Sequence, residues 1–379
     1  MAELIRDENG RIIFTKEMKK DYTILVPNML PIHFNIMKNV FTNEGYKFAL
    51  LDNDGTAVKQ LGLKYMHNDI CYPALLVAGQ FLDALSSGKY DVNKTALMIM
   101  QTGGGCRASN YIHLLRKALV KAGYSNVPII SFNLSGLEHN SGFKLTLPII
   151  RRILAGVIYG DLIMLLSNQT RPYEIKKGET DKLIKKWVID ISKQFRAKKG
   201  YSFSQMKANF TKVIDSFSSI KLKKEIKTKV GIVGEIYVKY ARFANNSLEK
   251  FLADENCEVM VPGLMGFLMF KVDARVQDYL IYGGSKVKYF AAKTLLGYLE
   301  KIEKAFMEAV DNSRFTQLSS YADTKPLVNG LIGLGNRMGE GWFLPAEMIE
   351  LIKHGYENIV CAQPFGCLPN HICGKGMVN

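Results

Sequence analysis

A chain of 379 residues, 47% hydrophobic and 22% charged, has the length for two ordinary domain cores and the balance of a soluble globular protein. Its opening MAELIRDENGR is charged from the start, so no apolar leader is expected. The longest apolar stretch, Leu154 to Leu166, is interrupted by Asp161 and too short for a bilayer, which predicts a buried helix in a cytoplasmic protein with no membrane partner.

In chain order, YTILVPNM (22–29) reads as a strand, and IHFNIMKNVFTNEG as a helix closing at Gly45. YKFALLD is a second strand, and Cys71 to Leu85 is a helix with apolar residues at helical spacing. ALMIMQT (96–102) is a third strand, Asn110 to Ala122 a helix, and PIISFNL (128–134) a fourth strand. Fully apolar strands alternating with helices of this length predict a parallel sheet covered on both faces. In such sheets ligands bind beyond the carboxyl ends of the strands, where Cys106 lies.

From Pro148 to about Thr228 the pattern turns helical. KLIKKWVIDISKQF and FSQMKANFTKVIDSF carry apolar residues at i, i+3 and i+4. Much of the net charge of +15 resides here, since Arg171 to Val230 holds 17 basic against 6 acidic residues. No aromatic stacking motif accompanies these lysines, so a nucleic acid is not expected. They read as a solvated helical face, with an acidic protein or polyanionic ligand as the functional alternative.

At Lys229 the alternation restarts, with KVGIVGEIYV and EVMVPGL as strands, NNSLEKFLADE and KYFAAKTLLGYLEKIEKAFMEAV as helices, and AEMIELIKHGY and NIVCAQPF as a closing helix–strand pair. The expected architecture is α/β, two parallel-sheet domains of Rossmann or flavodoxin type with a helical region between them. The boundaries are 1–147, 148–228 and 229–379, the last domain carrying Cys367. LPNHICGKGMVN begins a helix after Cys367 where a parallel sheet would continue. A fragment and a naturally short form both remain open.

Six cysteines without secretory features do not form a disulfide framework. The five-residue gaps between Cys361, Cys367 and Cys373 match no common zinc pattern. Cys71 opens an apolar helix, Cys106 follows a strand in the triple-glycine loop QTGGGCRASNY, and Cys367 follows a strand in a turn of Pro364, Gly366 and Pro369. A loop-to-helix junction exposes a thiol and lowers its pKa, so these three read as converging ligands. Cys257 reads as core filler, and Cys361, flanked by strand residues, as either. Thiolates on separate loops with no clustered His favour iron–sulfur over zinc, and His371 reads as a helix-start residue. Three thiolates on a four-iron cluster leave one iron open as a Lewis acid.

NDICYPALLVAGQ, QTGGGCRASNY, KVGIVGEIYV and CAQPFGCLPNHICGKG together resemble the 2-hydroxyacyl-CoA dehydratase superfamily, most closely its branch of large acyl-CoA dehydratase activase-related proteins of anaerobes. The resemblance runs from about Tyr22 to Gly376. It implies an oxygen-sensitive [4Fe-4S] cluster on Cys71, Cys106 and Cys367, with Cys361 in the same motif, and an ATP-driven activator that donates one electron. One-electron reduction of a 2-hydroxyacyl thioester makes a ketyl radical anion, which expels the α-hydroxyl and acidifies the β-hydrogen. Glu235, in VGIVGEIY, is the candidate catalytic carboxylate, with a solvent-facing strand-end role as its alternative.

The chain departs from that branch in having no phosphate-binding Walker loop and no activator-like ATPase segment, so ATP is expected to be handled by another protein. Established dehydratases pair two related subunits, which implies a second subunit or a homodimer, with an acyl-CoA or other small molecule as substrate. The competing readings are a double-cubane ATP-dependent reductase of small molecules and a non-catalytic iron–sulfur electron-relay protein. Two cubanes need about six cysteines. Cys257 and Cys373 are poorly placed for that, so one cubane is expected.

Overall fold

The computed structural model describes residues 2–67, 69–101, 105–133, 138 and 140–377. The chain divides into two compact units. Unit 1 comprises residues 1–150, 240–246 and 364–368, and unit 2 comprises 151–239, 247–363 and 369–379. Each contains its own parallel sheet, as the alternating pattern predicts.

Among the described residues unit 1 has four strands, β1 (Thr23–Pro27), β2 (Lys47–Leu51), β3 (Thr95–Met100) and β4 (Ile129–Phe132), in the order β2-β1-β3-β4. Every pairing is parallel, with Thr23 opposite both Lys47 and Thr95, and Leu97 opposite Ile129. Ile24, Leu25, Ala96, Leu97, Ile129 and Ile130 are buried, because helices cover the sheet. The Tyr72–Ser86 helix is buried along nearly its whole length, on all sides and not along one stripe. Its Gly79 admits no side chain, since a Cβ there would meet the Val58 carbonyl oxygen at 2.1 Å. That close approach packs it on the Thr56–Tyr65 helix.

Unit 2 has three strands, β5 (Thr228–Gly234), β6 (Cys257–Met260) and β7 (Asn358–Ala362), in the parallel order β6-β5-β7. The lysine-rich region packs within this unit as amphipathic helices. Glu179–Arg196 buries Trp187, Ile191 and Phe195, and Phe203–Ser218 buries Met206, Phe210, Val213, Ile214 and Phe217. Asp161, which interrupts the apolar Leu147–Thr170 helix, caps the start of the Leu264–Tyr282 helix. Its two carboxylate oxygens accept the Leu264 and Met265 N–H groups, each at 2.8 Å. No helix of the described residues is long and apolar enough to cross a membrane.

One element differs from its expected form. KVGIVGEIYV is not a single strand, because β5 stops at Gly234 and Ile236–Tyr240 is a short helix. Gly234 sits at φ +137, and a Cβ there would lie 2.3 Å from the Ala362 carbonyl oxygen. Only glycine fits this turn, which ends the strand although the apolar sequence continues.

Candidate functional site

In both sheets the strand order reverses beside the first strand, between β1 and β3 in unit 1 and between β5 and β7 in unit 2. In doubly wound sheets ligands bind outside the carboxyl ends of the strands at such a reversal. Cys106 lies in the loop after β3, at the reversal in unit 1. Thr102, Gly103 and Gly104 of the triple-glycine segment lie outside the described residues. The Tyr72–Ser86 helix leads back to the start of β3, so Cys71 at its N-terminus belongs to the same carboxyl edge as Cys106.

Cys71 and Cys106 share one local conformation. Both are N-cap residues in extended backbone, Cys71 at φ −67 and ψ 148, Cys106 at φ −68 and ψ 144. The Cys71 carbonyl accepts the Ala74 N–H at 3.1 Å, and the Cys106 carbonyl accepts the Ser109 N–H at 3.1 Å. The Gln101 amide anchors the Cys106 loop by donating to the Ser109 carbonyl, while its oxygen accepts from Ser131. Cys71 Sγ is hydrogen-bonded to the hydroxyl of Tyr111, the residue that opens the helix after Cys106.

Cys367 reaches the same unit from the far end of the chain. The Pro364 carbonyl accepts the Cys367 N–H at 3.4 Å, and Gly366 takes φ +73 at the third turn position, where a left-handed residue is required. The Tyr72 N–H donates to the Phe365 carbonyl at 3.0 Å. A Cβ on Gly366 would stand 3.0 Å from Cys71 Cα. The Cys367 turn is thus fastened by its backbone to the residues that carry Cys71. The exposure expected of thiols at loop-to-helix junctions is not found at two of the three, since Cys71 and Cys367 are buried by the packing of the Cys367 turn and the apolar helix, and Cys106 is half-buried. No disulfide joins any of the six cysteines, all of them described residues. Among the described residues, no three Cys, His, Asp or Glu side chains stand as a ready metal cage.

The remaining predicted residues lie in unit 2. Glu235 follows β5 at that sheet's order reversal, with its N–H bonded to the Ala362 carbonyl at 3.1 Å. Its Oε2 accepts the Val238 N–H at 2.9 Å, and Glu340 Oε1 accepts the Ile236 N–H at 2.9 Å. Burial, and then the mutual repulsion of the two carboxylates, raises Glu235 well above the usual carboxylate range. Burial raises Glu340 likewise. Nearby, Lys239 Nζ and Glu347 Oε1 form a buried ion pair at 3.1 Å. Glu235 is itself half-buried and borders a buried polar cluster of Glu340, Lys239 and Glu347.

Cys361 lies in β7, and burial with the charges of Glu340 and Glu347 pushes its thiol up to about 11. Burial raises Cys373 in the same direction, with Glu340 adding to it. Cys257 starts β6, only partly covered, with its thiol facing the Glu255 carbonyl at 3.6 Å. Tyr111 escaped the sequence reading of the site, although it falls inside QTGGGCRASNY, one of the motifs that carried it. Comparison of the chain with family models, curated proteins and solved structures returns no match.

Proposed function

We propose that the protein is an iron–sulfur protein of 2-hydroxyacyl-CoA dehydratase type, in which Cys71, Cys106 and Cys367 hold a [4Fe-4S] cluster. The observation that carries this reading is the fastening of the Cys367 turn to Cys71 across nearly 300 positions of sequence, with Tyr111 tying Cys71 to the Cys106 helix. The donor set fits in kind, since three thiols each stand immediately before a helical turn. Such a cluster, when bound, supplies one-electron reduction and an open iron for a substrate oxygen. The chain's own residues hold and orient it. Tyr111 fixes the Cys71 side chain, the Gly366 turn presents Cys367, and burial of both cysteines limits water at their sulfurs. An ATP-dependent activator is the proposed electron donor and an acyl-CoA the proposed substrate. The edge-strand position of Cys257 adds no support for a second cubane.

Anaerobic purification with iron and sulfide analysis tests the reading. About four iron and four sulfide per chain are expected. Cys71→Ala, Cys106→Ala and Cys367→Ala each lose the brown chromophore, whereas Cys257→Ala keeps it. Full iron content in Cys106→Ala, or none in the anaerobic wild-type protein, would overturn it.

A further inference from the structure

The Leu264–Tyr282 and Lys286–Asp311 helices of unit 2 form a hairpin turned by Gly283 and Gly284, at φ +75 and +121. The outer half of the hairpin stands in solvent although it is strongly apolar. Tyr282 is 72% exposed, Val287 79% and Phe290 61%. Leu280, Ile281, Leu295 and Tyr298 are exposed as well. On the second helix, Val287, Phe290, Ala291, Thr294, Leu295 and Tyr298 recur at helical spacing, so they form one stripe along its side. All six are exposed, and the buried positions of this helix, Leu299, Ile302, Ala305 and Val310, begin only beyond them.

The charges bordering the stripe are of one sign. From Tyr279 to Leu299 there is no Asp or Glu, while Lys286 and Lys293 flank one edge and Lys288 the other. The hairpin is firm at its end, where the Tyr279 and Tyr289 rings lie 4.6 Å apart. An exposed stripe of this length, lysine-bordered on both sides, has the form of one half of a helix–helix interface. Its complement is apolar in the middle and acidic at the edges. A second copy of the same stripe would set lysine against lysine, in a chain already at +15. The same lysines would also attract an anionic lipid surface, and the vesicle arm of the test below separates that outcome.

We infer that the 287–298 face of the hairpin is a docking surface for an acidic amphipathic helix of a partner protein. The inference is independent of the iron–sulfur reading. Its test uses the full chain and a fluorescent helical peptide of about 18 residues, with a leucine face and glutamate edges. A peptide with lysine edges, and phosphatidylserine vesicles, are run beside it. The glutamate-edged peptide is expected to bind and to weaken as salt rises. Phe290→Glu is expected to weaken it more than tenfold with the circular dichroism spectrum unchanged. Joint reversal of Lys286, Lys288 and Lys293 to Glu is expected to transfer preference to the lysine-edged peptide, a result that mere stickiness would not give. Equal binding of both peptides by the wild-type chain, or no binding, would overturn the inference. So would vesicle binding, or self-association, that Phe290→Glu abolishes.

Discussion

At the scale of single residues, Gly366 has two reasons to be glycine, and both concern Cys71. Its backbone is left-handed at φ +73, and a methyl group would stand 3.0 Å from Cys71 Cα. Gly366→Ala is expected to cost about 1–2 kcal/mol from the backbone alone. If the turn presents Cys367 as proposed, it also lowers iron per chain after anaerobic reconstitution. Unchanged iron with lowered stability would mean that the turn is structural only.

Glu350 gives a residue-scale prediction about pH. Burial, with Glu347 nearby, pushes it from an ordinary 4.5 up to about 8. Between those values the folded chain keeps a proton that the unfolded chain has released. Stability from this group is therefore fully present below pH 4.5, falls as pH rises, and levels off above about 8. Glu303, raised to about 7 by burial, acts in the same direction. Glu350→Gln mimics the protonated form. It is expected to raise Tm at pH 8 by several degrees and to change it little at pH 5. An equal shift at both pH values would assign the effect to packing.

At the scale of elements, Asp161 holds two N–H groups of the Leu264–Tyr282 helix in a buried setting. Asp161→Ala leaves both unsatisfied, at about 1–3 kcal/mol each. A loss of about 2–5 kcal/mol in denaturant unfolding is expected, and a loss under about 1 kcal/mol would mean that water replaces the carboxylate. In the sequence Asp161 is legible only as an interruption of an apolar run, because its partner lies about 100 residues away.

The same limit explains the rest of what could and could not be read. Strands and most crossover helices were legible, since sheet burial forces apolar runs and helices impose their own period, but the Thr56–Tyr65 helix was not, because lysines and glycine break its apolar pattern. The end of β5 was not, because GEIYV stays apolar through a turn fixed by contact of Gly234 with Ala362. Cys71, Cys106 and Cys367 stood out by their glycine and proline neighbours. That Cys367 packs within unit 1 was hidden, because five residues leave β7 for that unit and the chain then returns. Glu340, Glu347 and Glu350 carried no signal either. In AEMIELIKHGY a glutamate at helical spacing looks like a solvated charge, and only tertiary packing turns it inward.

For the molecule as a whole, much of the charge of +15 lies on the lysine-rich helices of unit 2, and the proposed site lies in unit 1. Lys182, Lys185, Lys193 and Lys198 are exposed on or just beyond the Glu179–Arg196 helix, whose buried face is Trp187, Ile191 and Phe195. The three cysteines lie in unit 1, whereas this helix belongs to unit 2. Reversing all four lysines to glutamate removes long-range positive potential without opening a core, as exposed charges contribute about 0–1 kcal/mol each. Iron content and the visible spectrum of the anaerobic protein are therefore expected to be unchanged. Association with an acidic activator, measured across a salt series, is expected to slow in the variant and to lose much of its salt dependence. Loss of the iron chromophore would show that the lysine-rich helices support the site directly. Association unchanged at every ionic strength would remove them as a partner-facing surface.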